Sequence, residues 1–192
     1  MTKTLSMKIS KKTVLNIAII LFILSFFVTP LGHYGKIFLN RLFSFSPPVI
    51  EASKREKIID YDWKLKDAEW NFFNFEKSKG RVIFINLWAS WKLPSEAELA
   101  SIQKMYDEYK GKMDFYIITN ENRPPVETFM EKHGFTFPVT YLIIGEKMPI
   151  DSGEVPSSYL IDKSGDIVIY KKKIADWNTS KVYDLLDSLI AE

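Results

Sequence analysis

Residues 81–95 read RVIFINLWASWKLPS, and the order of residue types calls for a strand, a turn and the start of a helix. Arg81 to Trp88 is an apolar run rich in β-formers, the pattern of a strand covered on both faces. Asn86 interrupts it and reads as a hydrogen-bonded structural residue. Pro94 suits the first turn of a helix. From there to Tyr109, the residues Leu99, Ile102, Tyr106 and Tyr109 recur three or four apart and make one apolar stripe. Gly111 is the stop signal. Glu96 and Glu98 fall at the helix start, where a carboxylate complements the dipole, and their spacing argues against a carboxylate pair on one helical face.

Working outward, Met113 to Thr119 reads as a second apolar strand, so a βαβ unit follows. Pro124-Pro125 opens a shorter helix through His133, with Val126, Phe129 and Met130 on its apolar side and Gly134 at its end. His133 fits a dipole-compatible helix terminus better than a metal ligand. Ser157 to Asp162 and Asp166 to Lys172 form a hairpin about Lys163-Ser164-Gly165, with Gly165 supplying positive φ. Asn178-Thr179-Ser180 offers caps for a last helix lined by Val182, Leu185, Leu186 and Leu189. Asp62 to Phe75 adds a strand or hairpin. Lys171 to Lys173 reads as a solvated strand end. The fold class is α/β, a central mixed sheet flanked by helices over residues 58–192.

The chain has 192 residues, enough for one domain and an appendage. Hydrophobic residues at 46% exclude a disordered chain, and a net charge of +2 gives no footprint for nucleic acid. Cys 0 is the most restrictive count, because it excludes disulfides, thiolate metal sites and thiol exchange by this chain alone. With only His33 and His133, no metal centre is expected, and no cofactor.

Lys3, Lys8, Lys11 and Lys12 precede an apolar run from Val14 to Val28, broken only by Asn16 and Ser25 and closed by Pro30 and Gly32. The expectation is a basic cytoplasmic segment over 1–12 and a single transmembrane helix over 13–31, with the lipid bilayer as partner. The remainder is then extracytoplasmic, on the periplasmic side. A cleaved signal peptide is the rival reading, and no small-x-small site follows Val28 to support it. Residues 32–57 mix Ile37, Phe38, Leu42, Phe43 and Phe45 with Lys36, Asn40 and Arg41. Two readings stay open, an amphipathic helix at the membrane surface and a stalk packed on the domain. Pro47-Pro48 ends that zone, Glu51 to Lys57 reads as a polar linker, and the domain starts near Ile58.

Asn86 to Ser95 resembles the active-site strand, turn and helix start of a thioredoxin, nearest to the membrane-tethered TlpA/ResA-like branch with its pattern N-F-W-A-[ST]-W-C-x-P-C. Val155 to Gly165 resembles the cis-proline strand and hairpin of that family. Ala175-Asp176-Trp177-Asn178 stands where such proteins carry a similar segment before the last helix. The resemblance covers residues 58–192. It implies a thioredoxin-like fold and a cis Val155–Pro156 bond facing the Trp91 to Ser95 loop.

It also implies that Lys92 and Ser95 occupy the places of the two cysteines. The chemistry of the family is attack of a thiolate on a disulfide and resolution by a second thiol. An ammonium and a hydroxyl do neither, so no catalytic residue is assigned. What the scaffold retains by this resemblance is a groove of Trp91, Leu93, Pro94, Val155 and Pro156, where an extended peptide or protein segment pairs with backbone beside the cis-proline. Two functions follow as expectations. The first is a redox-silent, membrane-anchored binding module. The second is an oxidoreductase that works only with a thiol-bearing partner, or a different activity built on Lys92.

Overall fold

Ser10 opens the described chain, its hydroxyl accepting from the Thr13 N–H at 3.1 Å to cap α1 (Lys11–Val28). The computed structural model describes residues 10–151 and 153–192; of the basic segment expected over 1–12, residues 1–9 lie outside them, and Lys11 and Lys12 belong to the first turn of α1. α1 stops at Val28 because Thr29 is extended (φ −96°, ψ 158°), the conformation forced on a residue before proline. Pro30 then begins α2 (Pro30–Leu42).

The one helix expected over 13–31 is therefore divided, and among the described residues no helix is long and apolar enough to cross a membrane. At ~1.5 Å per residue the run Val14–Val28 covers roughly 22 Å, against a hydrocarbon core of ~30 Å. The chain to Leu39 forms one compact unit and the chain from Asn40 a second.

The second unit holds β1 (Lys64–Lys66), β2 (Phe72–Asn74), β3 (Ile83–Leu87), α3 (Leu93–Tyr109), β4 (Asp114–Thr119), α4 (Arg123–His133), β5 (Val139–Leu142), β6 (Ser157–Ile161), β7 (Ile167–Lys172) and α5 (Ser180–Ala191). The strands make one sheet in the order β2-β1-β5-β4-β3-β6-β7. β4 runs parallel to β3 and β5, while β6 is antiparallel to β3 and β7, so the sheet is mixed. The Asp62 to Phe75 segment supplies the β1–β2 hairpin. β5 was not anticipated.

Every residue of β3 is buried, as its apolar run requires, and successive side chains leave on opposite faces. Val82, Phe84 and Trp88 join one core with Leu99 and Ile102 of α3, Phe129 of α4 and Leu186 of α5. Ile83, Ile85 and Leu87 join the other with Trp63, Phe75 and Tyr159. Asn86 shares the face of Phe84 and Trp88, so its amide is carried under α3. In the β6–β7 turn Gly165 sits at φ +89°, and a Cβ there would meet the Tyr61 hydroxyl at 2.6 Å.

Residues 45–58, which include the expected polar linker Glu51 to Lys57, run along the domain. The Asp176 N–H donates to Phe45 O, Ile50 N–H to Val168 O, Ile167 N–H to Glu56 O and Ile58 N–H to Gly165 O. Two of these bonds take up the outer edge of β7, at Ile167 and Val168, and the other two use Gly165 and Asp176 on either side of that strand.

Candidate functional site

The connection from β3 to α3 carries the residues singled out in the sequence. Lys92 is the N-cap of α3, with extended backbone and no side-chain cap. Its long side chain is free to turn away from the helix, and its ammonium donates to Val155 O at 2.9 Å. The Val155–Pro156 bond is cis. One hydrogen bond thus joins the start of α3 to the loop before β6. Trp91 is 71% exposed, with the Lys92 ammonium 5.3 Å from its ring. Leu93, Pro94 and Val155 are half-buried and Pro156 is buried.

Ser95 is buried in the first turn of α3. Its Oγ accepts from the Ala89 N–H at 3.3 Å and closes the turn. On the other side of that turn, Glu121 accepts from the Ser90 N–H and from the Ser90 hydroxyl, both at 2.6 Å. A cleft of about 190 Å³ lies beside Val155, walled by Leu87, Ile118, Leu142 and Met148. Val155 N–H has no partner among the described residues. Among those residues no three His, Asp or Glu side chains cluster to hold a metal ion.

Beneath the start of α3 lies a polar network that the sequence reading missed. Glu98, read there as a dipole partner at the helix start, is 1% exposed. Its Oε1 accepts from Trp177 Nε1 at 2.9 Å, from the Ala175 N–H at 3.2 Å and from the Ser158 hydroxyl at 3.3 Å. Its Oε2 accepts from Asn86 Nδ2 at 3.3 Å, and Asn86 also donates to Ser158 Oγ at 2.9 Å. Burial pushes the Glu98 carboxyl up to about 7, against the opposing pull of the Trp177, Ala175, Asn86 and Ser158 hydrogen bonds. The amide oxygen Oδ1 of Asn86 accepts no hydrogen bond among the described residues. The signal for Glu98 was present in the sequence, since Ser95, Glu98, Ile102, Met105 and Tyr109 lie on one helical stripe.

His133, at the end of α4 as expected, approaches Glu96 at 3.6 Å and stacks on Phe135. It lies apart from any cluster of metal ligands among the described residues.

Residues 59–169 match the AhpC/TSA family. The thiol-disulfide oxidoreductase ResA of Geobacillus kaustophilus is 29% identical over 111 residues, which cover 55% of this chain and 63% of that protein. ResA of Bacillus thuringiensis is 32% identical over 106 residues, covering 53% and 61%. The chain spans about three fifths of the length of the curated relatives it matches. A crystal structure from Bacteroides vulgatus, described as a thiol-disulfide oxidoreductase, shares 25% identity and a TM-score of 0.57 over 72% of this chain and 99% of that one.

Proposed function

Because the chain belongs to the AhpC/TSA family, we propose that it is a thioredoxin-like binding module held at the extracytoplasmic face of a membrane, with no thiol-disulfide activity of its own. The observation that carries this reading is the cysteine count of zero. Thiol-disulfide exchange proceeds through a mixed disulfide with a protein thiolate, and this chain cannot form one. In this reading Lys92 and Ser95 stand where the relatives carry their cysteines.

The same site supports recognition of an extended peptide or protein segment. Val155 presents a free N–H beside a cis-proline and an apolar cleft, and its carbonyl is held by one lysine that can swing aside. A segment added there would pair with the N–H, displace the ammonium and seat an apolar side chain beside Leu142 and Met148.

Membrane attachment rests on α1, where Leu15, Leu21, Phe22 and Phe27 are 60–69% exposed. In water such surface costs about 25 cal/mol per Å², so a helix apolar on every side needs an apolar surrounding. Lys11 and Lys12 at its start favour an N-terminus on the cytoplasmic side. A span this short calls for local thinning of the bilayer.

Two measurements on the full chain test the reading. Insulin reduction with dithiothreitol in detergent micelles should run no faster than dithiothreitol alone, and a faster rate would overturn the redox-silent assignment. Carbonate-washed membranes should retain the chain, with the domain from Asn40 onward open to protease from the extracytoplasmic side. Release by carbonate, or protection of the domain, would overturn the anchoring.

A further inference from the structure

A second cleft, of about 210 Å³, opens on the side of α3 that faces residues 41–44 and the loop before α5. Ala97, Ala100 and Ala175 form its floor, and their small side chains are what leave it open. Two cations, Arg41 and Lys104, reach it from different elements, and neither is paired with a carboxylate among the described residues. Ser44 contributes a buried hydroxyl with no hydrogen-bond partner. Asn178 lends its carbonyl oxygen to the Tyr183 hydroxyl and keeps its amide N–H₂ free. The wall is fixed, because the Asp176 N–H holds Phe45 O at 3.0 Å and Thr179 Oγ1 meets Ser46 Oγ at 3.2 Å.

The charge balance narrows the ligand. One carboxylate, Asp176, also lines the cleft, with an oxygen held by the Asn178 N–H. Two cations against one anion leave a net charge of +1. That matches a phosphodiester, which carries one negative charge, better than the dianion of free phosphate. Beside the lining residues Arg41 and Ser44 in the chain, the side chains of Leu42, Phe43 and Phe45 are 59%, 68% and 72% exposed. Exposed aromatic side chains next to an unpaired arginine match the boundary between acyl chains and headgroups.

We propose that this cleft binds the phosphodiester headgroup of an anionic lipid, with Arg41 and Lys104 on the phosphate oxygens and Leu42, Phe43 and Phe45 in the acyl boundary. The proposal deepens the membrane reading above, in that it orients the domain against the bilayer through a site separate from α1. An anionic diester gains charge-assisted hydrogen bonds from both cations, whereas a zwitterionic headgroup brings its own ammonium towards them.

The test uses the full chain in dodecyl maltoside micelles, titrated with dihexanoyl phosphatidylglycerol, dihexanoyl phosphatidylcholine or inorganic phosphate. The readout is the NMR shift of the Ala97, Ala100 and Asn178 amides. Phosphatidylglycerol should saturate the shifts at a concentration about tenfold below either competitor, and Arg41→Gln or Lys104→Gln should each weaken it by about tenfold. The Trp177 indole resonance, unchanged in the variants, reports that they are folded. Equal affinity for phosphatidylcholine overturns the charge argument, equal affinity for inorganic phosphate overturns the lipid as occupant, and unaltered binding in both variants overturns the site. A flat titration with membrane retention intact refutes this inference alone. Saturation without retention refutes only the anchor.

Discussion

The ammonium of Lys92 donates to the carbonyl of Val155 at 2.9 Å, across 63 positions of sequence. A residue at a helix start thereby holds the backbone acceptor that an incoming extended segment would use. In the reading proposed above, the bond would leave the groove self-occupied, and binding there would be a competition between a peptide N–H and a lysine.

Replacing Lys92 by Met should release that acceptor while keeping the aliphatic stem. The expected outcome is a several-fold rise in affinity for extended apolar peptides and a loss of about 1 kcal/mol in stability, the net worth of an ordinary hydrogen bond, because partial exposure screens the charge. Fluorescence anisotropy with a labelled peptide library and urea unfolding read the two effects. A drop in peptide affinity would show that Lys92 assists binding instead of competing with it.

Lys92→Cys combined with Ser95→Cys tests the turn itself. At i and i+3 across a helix start, two thiols close a disulfide when their Cα atoms lie within ~7 Å. The first thiolate would meet the positive end of α3, so its titration should fall below the ~8.5 of a free cysteine. Insulin reduction should become measurable. A folded double variant that forms no disulfide would rule out thioredoxin geometry in this loop.

Glu98 makes stability depend on pH. Its carboxyl titrates at about 7 in the fold, above the 4.5 of the unfolded chain. The native state therefore binds more protons between those values, and stability is fully present below about pH 4.5 and falls as pH rises through about 7. The upper limit of the loss is on the order of 3 kcal/mol. Glu98→Gln should flatten this slope. A flip of Asn86 would point its unpartnered Oδ1 at the new amide N–H₂, so the network can accept the change. Urea midpoints at pH 5 and pH 8 decide it, and a wild-type protein more stable at pH 8 would contradict the assignment.

Gly165→Ala should cost roughly 1–3 kcal/mol, since φ +89° strains any L side chain and the added methyl strikes the Tyr61 hydroxyl. Thermal unfolding of the full chain measures it, and an unchanged midpoint would mean that the turn relaxes.

The sequence carried those parts of the fold that depend on local pattern. The apolar run at β3, the 3–4 spacing of α3 and the turn at Gly165 all report themselves within a few residues. β5 escaped because Val139–Leu142 is four residues long, too short for an alternating pattern to declare itself. The Glu98 network escaped for a different reason. Its partners Asn86, Ser158 and Trp177 lie 12, 60 and 79 positions away, and only the folded sheet brings them under one helix. Glu98 beside a helix start satisfied the dipole argument locally, which hid the stripe it shares with Ile102. The Lys92–Val155 bond is equally non-local.

The hydrogen bonds from residues 50–58 to β7 give the N-terminal arm a second duty. β7 is an edge strand, and its backbone groups at Ile167 and Val168 are taken up by Glu56 and Ile50. An uncovered edge recruits the edge of another molecule. Proteolytic trimming to Ile58 would therefore do more than shorten the chain. It would strip the selvedge from the sheet, and shed domains would be expected to join edge to edge through β7, so that integrity of the arm keeps each copy separate.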